Sequence, residues 1–223
     1  MLLLALDTST TAITVALHDG STVLAEATTL DARGHAEHLA PGVQRVLAQA
    51  GAVPADVTDV AVGLGPGPFT GLRVGIVTGR TLALAVGARV HGVGSLDALA
   101  AQAVADGLVG GGALLVATDA RRKEVYWAAY DVVPGRPGGV ERRGEPAVGR
   151  AADLPDDVRS LPTVGRGPGL YPDALTHGLP LLDVSAGALA SLVAARLGAG
   201  EVVDEQEALY LRRPDAVPSA ARP

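Results

Sequence analysis

Three short apolar runs stand back to back at the amino end of this chain, and only after them does helical spacing begin. Residues 2–6, 13–17 and 23–30 are each too short for a packed helix and are separated by polar or turn residues, so each reads as a strand. Asp19-Gly20 joins the second run to the third, and Asp-Gly between such runs is a strong hairpin signal. A three-strand meander therefore opens the fold. Residues 35–50 then carry Leu39, Val43, Val46, Leu47 and Ala50 on one helical face, with Gly51 as the stop. Pro41 falls near the first turn, where a missing N–H costs little. Residues 57–64 read as a buried strand, 70–86 as a second long helix ended by Gly87, 89–93 as a strand and 95–105 as a third helix. Ser95 and Asp97 suit that last helix's first turn, one as cap and the other as dipole partner.

The order strand–strand–strand–helix–strand–helix–strand resembles the ribonuclease-H-like unit of the sugar kinase, Hsp70 and actin group. Beyond the Gly-rich residues 106–112, segments 113–118 and 124–132 begin a new strand pair. Residues 133–172 are loose and rich in Pro and Gly, and 185–197 is the one clear helix of this half. The expectation is an α/β protein of the actin-like ATPase fold with two ribonuclease-H-like lobes, 1–106 and 107–223, the second truncated.

Composition narrows the chemistry. The chain has no cysteine, which excludes disulfides, thiolate metal sites and cysteine nucleophiles. Its net charge of −6 argues against broad unaided binding to nucleic acid, which needs clustered cations. Lys123 is the only lysine, so Schiff-base and P-loop roles have few candidates. Aromatics make up only 3%, so the core must be built from Ala, Val and Leu. The apolar start lacks a cationic lead-in and reaches Asp7 too soon for a signal peptide. No apolar run approaches the ~20 residues of a membrane helix. A cytoplasmic protein without membrane contact is expected.

The segment Gly63-Leu64-Gly65-Pro66-Gly67-Pro68-Phe69-Thr70-Gly71-Leu72-Arg73 joins a strand to a helix. Backbone amides at such a junction can hold an anion, and the same residues also make a tight structural turn. Neither the spacing of a P-loop nor a G-x-G-x-x-G register fits. Behind this loop, Gly71, Gly75, Gly79 and Ala83 recur every four residues, a face without side chains. Each such glycine costs about 1 kcal/mol relative to alanine in a helix. Close approach of another backbone would compensate, from the chain's own sheet or from a helix of a second chain, and the spacing leaves both open.

Asp7-Thr8-Ser9-Thr10 reads either as a metal- or phosphate-facing turn or as a polar hairpin turn. His35 and His38 share a helix face, but a metal site needs a third ligand that the sequence does not supply. His18, His91 and His177 carry no pattern. Asp119-Ala120-Arg121-Arg122-Lys123-Glu124-Val125-Tyr126-Trp127 places three adjacent cations between two strands. Such a tip can meet phosphate, with Tyr126 or Trp127 stacking a base, or can be a solvated turn. No G-x-S-x-G and no H-E-x-x-H is present, which disfavours a serine hydrolase and that class of zinc peptidase.

Leu6-Asp7-Thr8-Ser9-Thr10, His35-Ala36-Glu37-His38-Leu39, the loop from Gly65 to Arg73, Asp119-Ala120-Arg121 before Glu124-Val125-Tyr126, and Leu209-Tyr210-Leu211-Arg212 together resemble the TsaB (YeaZ) family, nearly end to end and in order. The resemblance implies a non-catalytic scaffold subunit that pairs with the TsaD catalytic subunit through the two long helices of the first half. The ATPase TsaE joins that pair, and threonylcarbamoyl passes from its adenylate to adenosine 37 of tRNAs reading ANN codons. The contacts expected on this chain are Leu39, Val43, Val46, Gly71, Arg73, Gly75, Val77, Gly79 and Arg80. No catalytic, cofactor or metal residue is expected, and the isolated chain is expected to hold no cofactor tightly. ATP and metal belong on the partner subunits, and tRNA is met only through the complex; self-pairing of the lone chain is left open. TsaD-like enzymes hold a metal with two histidines at H-x-x-x-H spacing, one residue wider than His35 and His38. The alternatives are a glycoprotease-like metallopeptidase and an ATP-dependent small-molecule kinase of the same fold.

Overall fold

In the computed structural model, residues 1–31, 34–204 and 207–212 are described. Strands β1 (Leu3–Asp7), β2 (Ala12–His18) and β3 (Val23–Leu30) form the expected meander. The β2–β3 corner is held by Asp19, whose carboxylate accepts from the Ser21 hydroxyl and from the amides of Thr22 and Ser21. These donors keep it well below the usual carboxylate range. The chain continues through α1 (His35–Gln49), β4 (Asp59–Gly63), α2 (Phe69–Val86), β5 (Arg89–Val93) and α3 (Ser95–Ala105). The sheet order is β3-β2-β1-β4-β5, with β4 parallel to both β1 and β5. This is the ribonuclease-H-like order.

β1 is central and buried on both faces, so its residues divide by the two-residue strand period. Leu4 and Leu6 enter a core with Leu39, Val43 and Val46 of α1 and Leu72 and Ile76 of α2. Leu3 and Ala5 enter a second core on the other side, which also holds α3.

A second sheet follows, made of β6 (Ala113–Asp119), β7 (Val125–Val132), β8 (Val140–Gly149) and the two-residue β9 (Thr163–Val164). Its order is β8-β7-β6-β9, with β6 antiparallel to β7 and parallel to β9. The lobe thus repeats the first four positions of the first sheet and, among the described residues, lacks a fifth strand. Short helices α4 (Asp156–Arg159) and α5 (Gly167–Leu170) flank β9, and α6 (Ala186–Gly198) lies last. α3 and α6 sit between the sheets, where Leu96, Leu99, Leu189 and Val193 meet Leu3 and Ala5 on one side and Leu114 and Val116 on the other. Tyr130 is the largest fully buried side chain, and its hydroxyl donates to Asp97 at 2.7 Å.

Strand β8 lies in the stretch read as loose. It is an edge strand with Arg142, Arg143, Glu141 and Glu145 on it, and Gly144 and Pro146 interrupt its alternation. The register shift opposite residues 127–129 of β7 takes Gly144, Glu145 and Pro146 out of the ladder, and Gly144 adopts φ +72°.

Helix α2 corrects another expectation. Its 18 residues have a mean hydropathy of 1.3, so by length and composition alone it is long and apolar enough to cross a membrane. It nevertheless carries Arg73 and Arg80, and its Gly71, Leu72, Gly75, Ile76, Gly79 and Ala83 are buried against the sheet.

The carboxyl-terminal segment returns to the base of the first sheet. His91 of β5 lies with Nε2 2.9 Å from Asp59 and Nδ1 2.8 Å from the Val203 carbonyl. Burial raises the Asp59 carboxyl, but hydrogen bonds from His91, Thr58 and Arg89 outweigh it and hold Asp59 below its ordinary value. A depressed carboxyl contributes stability above the unfolded value and loses it as pH falls through the folded one. The urea midpoint is therefore expected to fall more steeply between about pH 5 and about pH 2 in the wild type than in Asp59→Asn. Equal slopes would remove this account.

Candidate functional site

The first candidate is the end of β1. Asp7 is fully buried, and donors reach both of its carboxylate oxygens. Oδ1 accepts from the Ser9 amide and hydroxyl at 2.7 and 2.6 Å, and Oδ2 from the Ser95 hydroxyl at 2.5 Å. Burial pushes its carboxyl up, against the hydrogen bonds of Ser9 and Ser95. A Cβ on Gly63 would lie 1.7 Å from Oδ2, so this glycine makes the space for the carboxylate.

Thr8 explains the glycine face. Its hydroxyl donates to the Gly71 carbonyl at 2.7 Å and accepts from the Gly75 amide at 3.1 Å. An unperturbed helix pairs those two groups with each other, so Thr8 inserts into the helical ladder. A Cβ on Gly75 would meet the Thr8 hydroxyl at 2.4 Å, and one on Gly79 would meet Val62 at 2.4 Å and Leu6 at 3.0 Å. The close backbone that compensates the glycines is the chain's own sheet.

The expected partner contacts divide accordingly. Gly71, Gly75 and Gly79 face β1 and β4, and Leu39, Val43 and Val46 are buried in the core between α1 and the sheet. The helix period puts these six on the inward face, and Leu39 also reaches the groove between the two helices. Arg73, Val77 and Arg80 lie on the exposed face.

The loop from Gly65 to Pro68 is a structural turn. Gly65 donates to the Ser95 hydroxyl and accepts from the Ser95 amide. A Cβ on Gly67 would lie 2.5 Å from the Ser9 carbonyl. His35 and His38 do not converge: His35 Nε2 is 3.3 Å from the Thr10 carbonyl, while His38 pairs with Asp31 at 3.3 Å. Among the described residues no three His, Cys, Asp or Glu side chains gather as a metal site. The cleft between the lobes, lined by Ser9, Thr10, His35, Asp119, Arg121 and Arg166, encloses about 30 Å³. Small-molecule sites run to about 300 Å³ and above, and Arg166 is itself held by the two hydrogen bonds it donates to Asp183.

The β6–β7 hairpin brings its cations to the surface on an unusual backbone. Arg121, Arg122 and Lys123 adopt φ of +60°, +51° and +63°, successive left-handed residues that each cost about 1 kcal/mol or more. The Asp119 carboxylate accepts from the Arg121 amide, and Ala120 and Arg121 bond through their backbones to Glu124. Arg212 clamps the other side, donating to the Ala120 carbonyl and pairing with Glu124. The proposed stacking rings are elsewhere. Tyr126 is buried with its hydroxyl 3.5 Å from the Gly67 carbonyl, and Trp127 packs on the cluster of Leu115, Leu154 and Leu175.

The remaining feature is the outer face of α1 and α2. Ala36, Leu39, Ala40, Phe69, Arg73, Val74 and Val77 line a groove of about 530 Å³. Along the same helix Val77 is 55% exposed and Leu84 85%, so large apolar side chains stand in water. At the groove's head Arg73 lies over the Phe69 ring at 5.2 Å, and Tyr210 packs on that ring at 4.9 Å. Leu209 donates to the Leu64 carbonyl, which ties this late segment to the first lobe. Leu84, Phe69 and Tyr210 escaped sequence reasoning. Leu84 carries the signal, being apolar on a face opposite to the glycines; nothing in the sequence says that residue 210 returns to residue 69.

Residues 22–169 match a family model described as TsaD, tRNA N6-adenosine threonylcarbamoyltransferase. A solved structure of YeaZ from Pseudomonas aeruginosa is 33% identical, with a TM-score of 0.78 over 95% of this chain and 99% of that one. The chain belongs to the TsaB (YeaZ) family. An uncharacterized protein of Mycobacterium tuberculosis is 43% identical over 97% of this chain and 94% of its own length. The Escherichia coli protein named tRNA threonylcarbamoyladenosine biosynthesis protein TsaB is 41% identical over 58% of this chain and 55% of its own. As a TsaB-family member the chain has the actin-like ATPase fold with a shortened second lobe.

Proposed function

We propose that this chain takes part in forming threonylcarbamoyladenosine at position 37 of tRNAs reading ANN codons, as a scaffold subunit without a reaction centre of its own. It pairs through the outer face of α1 and α2 with a larger TsaD-like subunit, and a TsaE-like ATPase joins the pair in the cytoplasm. ATP and metal act on those partners, and tRNA is engaged through the complex. The observation that carries this reading is the apolar face of α2, where Val77 and Leu84 stand exposed beside the Ala36–Ala40 side of the groove. A TsaD-like partner suits it because the family model matched here is that of TsaD itself. A relative with the same two helices can present the same kind of face, and helix-on-helix burial of apolar residues is how obligate interfaces are built. The filled cleft and the separated histidines support the absence of chemistry in this chain.

The test is co-expression with the TsaD-like protein of the same cell, followed by co-purification and a transfer assay on an unmodified tRNA transcript. Stable pairing is expected, with transfer only when both proteins and the ATPase are present. Failure to pair, or turnover of threonylcarbamoyl-adenylate or cleavage of peptides by the isolated chain, would sink the reading.

A further inference from the structure

The β6–β7 tip has no part in the docking face, yet it concentrates positive charge on a chain of net charge −6. Arg121, Arg122, Lys123 and Arg212 stand there against two carboxylates, Asp119 and Glu124. Burial, and then the like charge of Arg122, push the Arg212 guanidinium below its ordinary value. All three tip cations are exposed. The backbone that presents them is strained at each one and is locked from both sides, by Asp119 on the Arg121 amide and by Arg212 on Ala120 and Glu124. Glycine would satisfy those φ values without strain. The turn itself therefore does not call for arginine or lysine at these three positions.

We propose that this rigid tip is a contact for the phosphodiester backbone of RNA. The chemistry suits the backbone because the hairpin itself offers charge at its surface. Its own rings are not presented there, Tyr126 being turned inward and Trp127 packed on its own sheet. Cations on a pre-locked backbone meet phosphate without first losing loop freedom, which is the gain that the strain sustains. The inference rests on the tRNA reading above, and it assigns part of the chain's own surface to contact within that complex.

The experiment measures anisotropy of a labelled unmodified tRNA transcript against the complex with the TsaD-like partner, from about 50 to about 200 mM salt. The same titration is run with the chain alone at the lowest salt. The variant Arg122→Gly/Lys123→Gly removes two charges and suits the left-handed backbone, so its melting temperature is expected to match or exceed the wild type's. Its slope of log affinity against log salt is expected to be shallower by about 1.5, with affinity lower by about 10-fold at the lowest salt. Arg122→Lys keeps the charge and is expected to keep the slope. An unchanged slope in a paired, folded double variant overturns the proposal. So does equal displacement of the tRNA by a polyglutamate peptide at matched charge, which would assign the tip to an acidic protein segment. Size-exclusion of the same samples reads pairing separately, so loss of pairing in the wild type counts against the scaffold reading and not against this one.

Discussion

Gly75→Val is expected to destabilise the fold by about 3 kcal/mol or more, read as a fall in the urea midpoint. The new Cβ would arrive 2.4 Å from the Thr8 hydroxyl. Either the helix moves off β1 or Thr8 swings away, leaving the Gly71 carbonyl and Gly75 amide without their bridge. Overpacking of a tight site costs about 1–3 kcal/mol, and leaving buried backbone groups unpaired costs about as much again. The gain in helix propensity over glycine is under about 1 kcal/mol and does not offset this. A sharper expectation concerns Gly75 and Thr8 together. Gly75→Ala alone is expected to destabilise, while the same change in a Thr8→Ala background is expected to be neutral or stabilising by up to about 1 kcal/mol, because the clash is gone and alanine favours the helix. Additive effects would mean that Thr8 is not what the glycine accommodates.

That pair shows what could be read from the sequence and what could not. The four-residue recurrence of Gly71, Gly75, Gly79 and Ala83 was legible as a close-approach face, since nothing else offsets repeated glycine in a helix. Which backbone approaches was not legible, because a sheet strand and a foreign helix demand the same absence of side chains. The deciding residue, Thr8, lies more than sixty positions earlier, and its polar run suggested a ligand turn instead. The same limit governs Asp7: a carboxylate followed by hydroxyls reads as a site, and only the fold reveals that Ser9 and Ser95 take both of its oxygens.

Element order was legible because each segment announces its own period. The three leading strands, α1, α2, β5 and α3 are set by local patterns and stops, and the strand order that follows from them needs little more than the rule that parallel neighbours are joined by a helix. β8 was not legible. A charged edge strand broken by Gly144 and Pro146 has no burial pattern to show, since its stability comes from pairing with β7. Tyr210 on Phe69 was hidden for a different reason: contacts between distant segments of a loop-like tail leave no periodic trace. The inward placement of Leu39, Val43 and Val46 follows from the same periodicity, since they carry the amphipathic pattern of α1 and that pattern marks the chain's own core.

Val77→Asp is expected to lower affinity for the TsaD-like partner by at least about 30-fold while leaving the melting temperature of the isolated chain unchanged. Two residues from Gly75 on the same helix, Val77 is 55% exposed, so an aspartate there meets water in the free chain and changes stability by no more than about 0.5 kcal/mol. In a closed helix-on-helix interface the same carboxylate must lose its water, a cost that Arg73 and Arg80 beside it on α2 offset only in part, and a central apolar position is worth about 2 kcal/mol or more. That energy corresponds to the stated fold-change. A charge at Gly75 cannot serve this purpose, because its effect on pairing would be inseparable from unfolding. Leu84→Asp extends the test to the end of α2, where the side chain is 85% exposed, and a loss of pairing there would carry the docking face along the whole helix. Affinity is read by titration calorimetry of the two purified proteins and stability by thermal melts of each variant alone. Unchanged pairing in both aspartate variants would leave the exposed apolar face of α2 without the partner assigned to it.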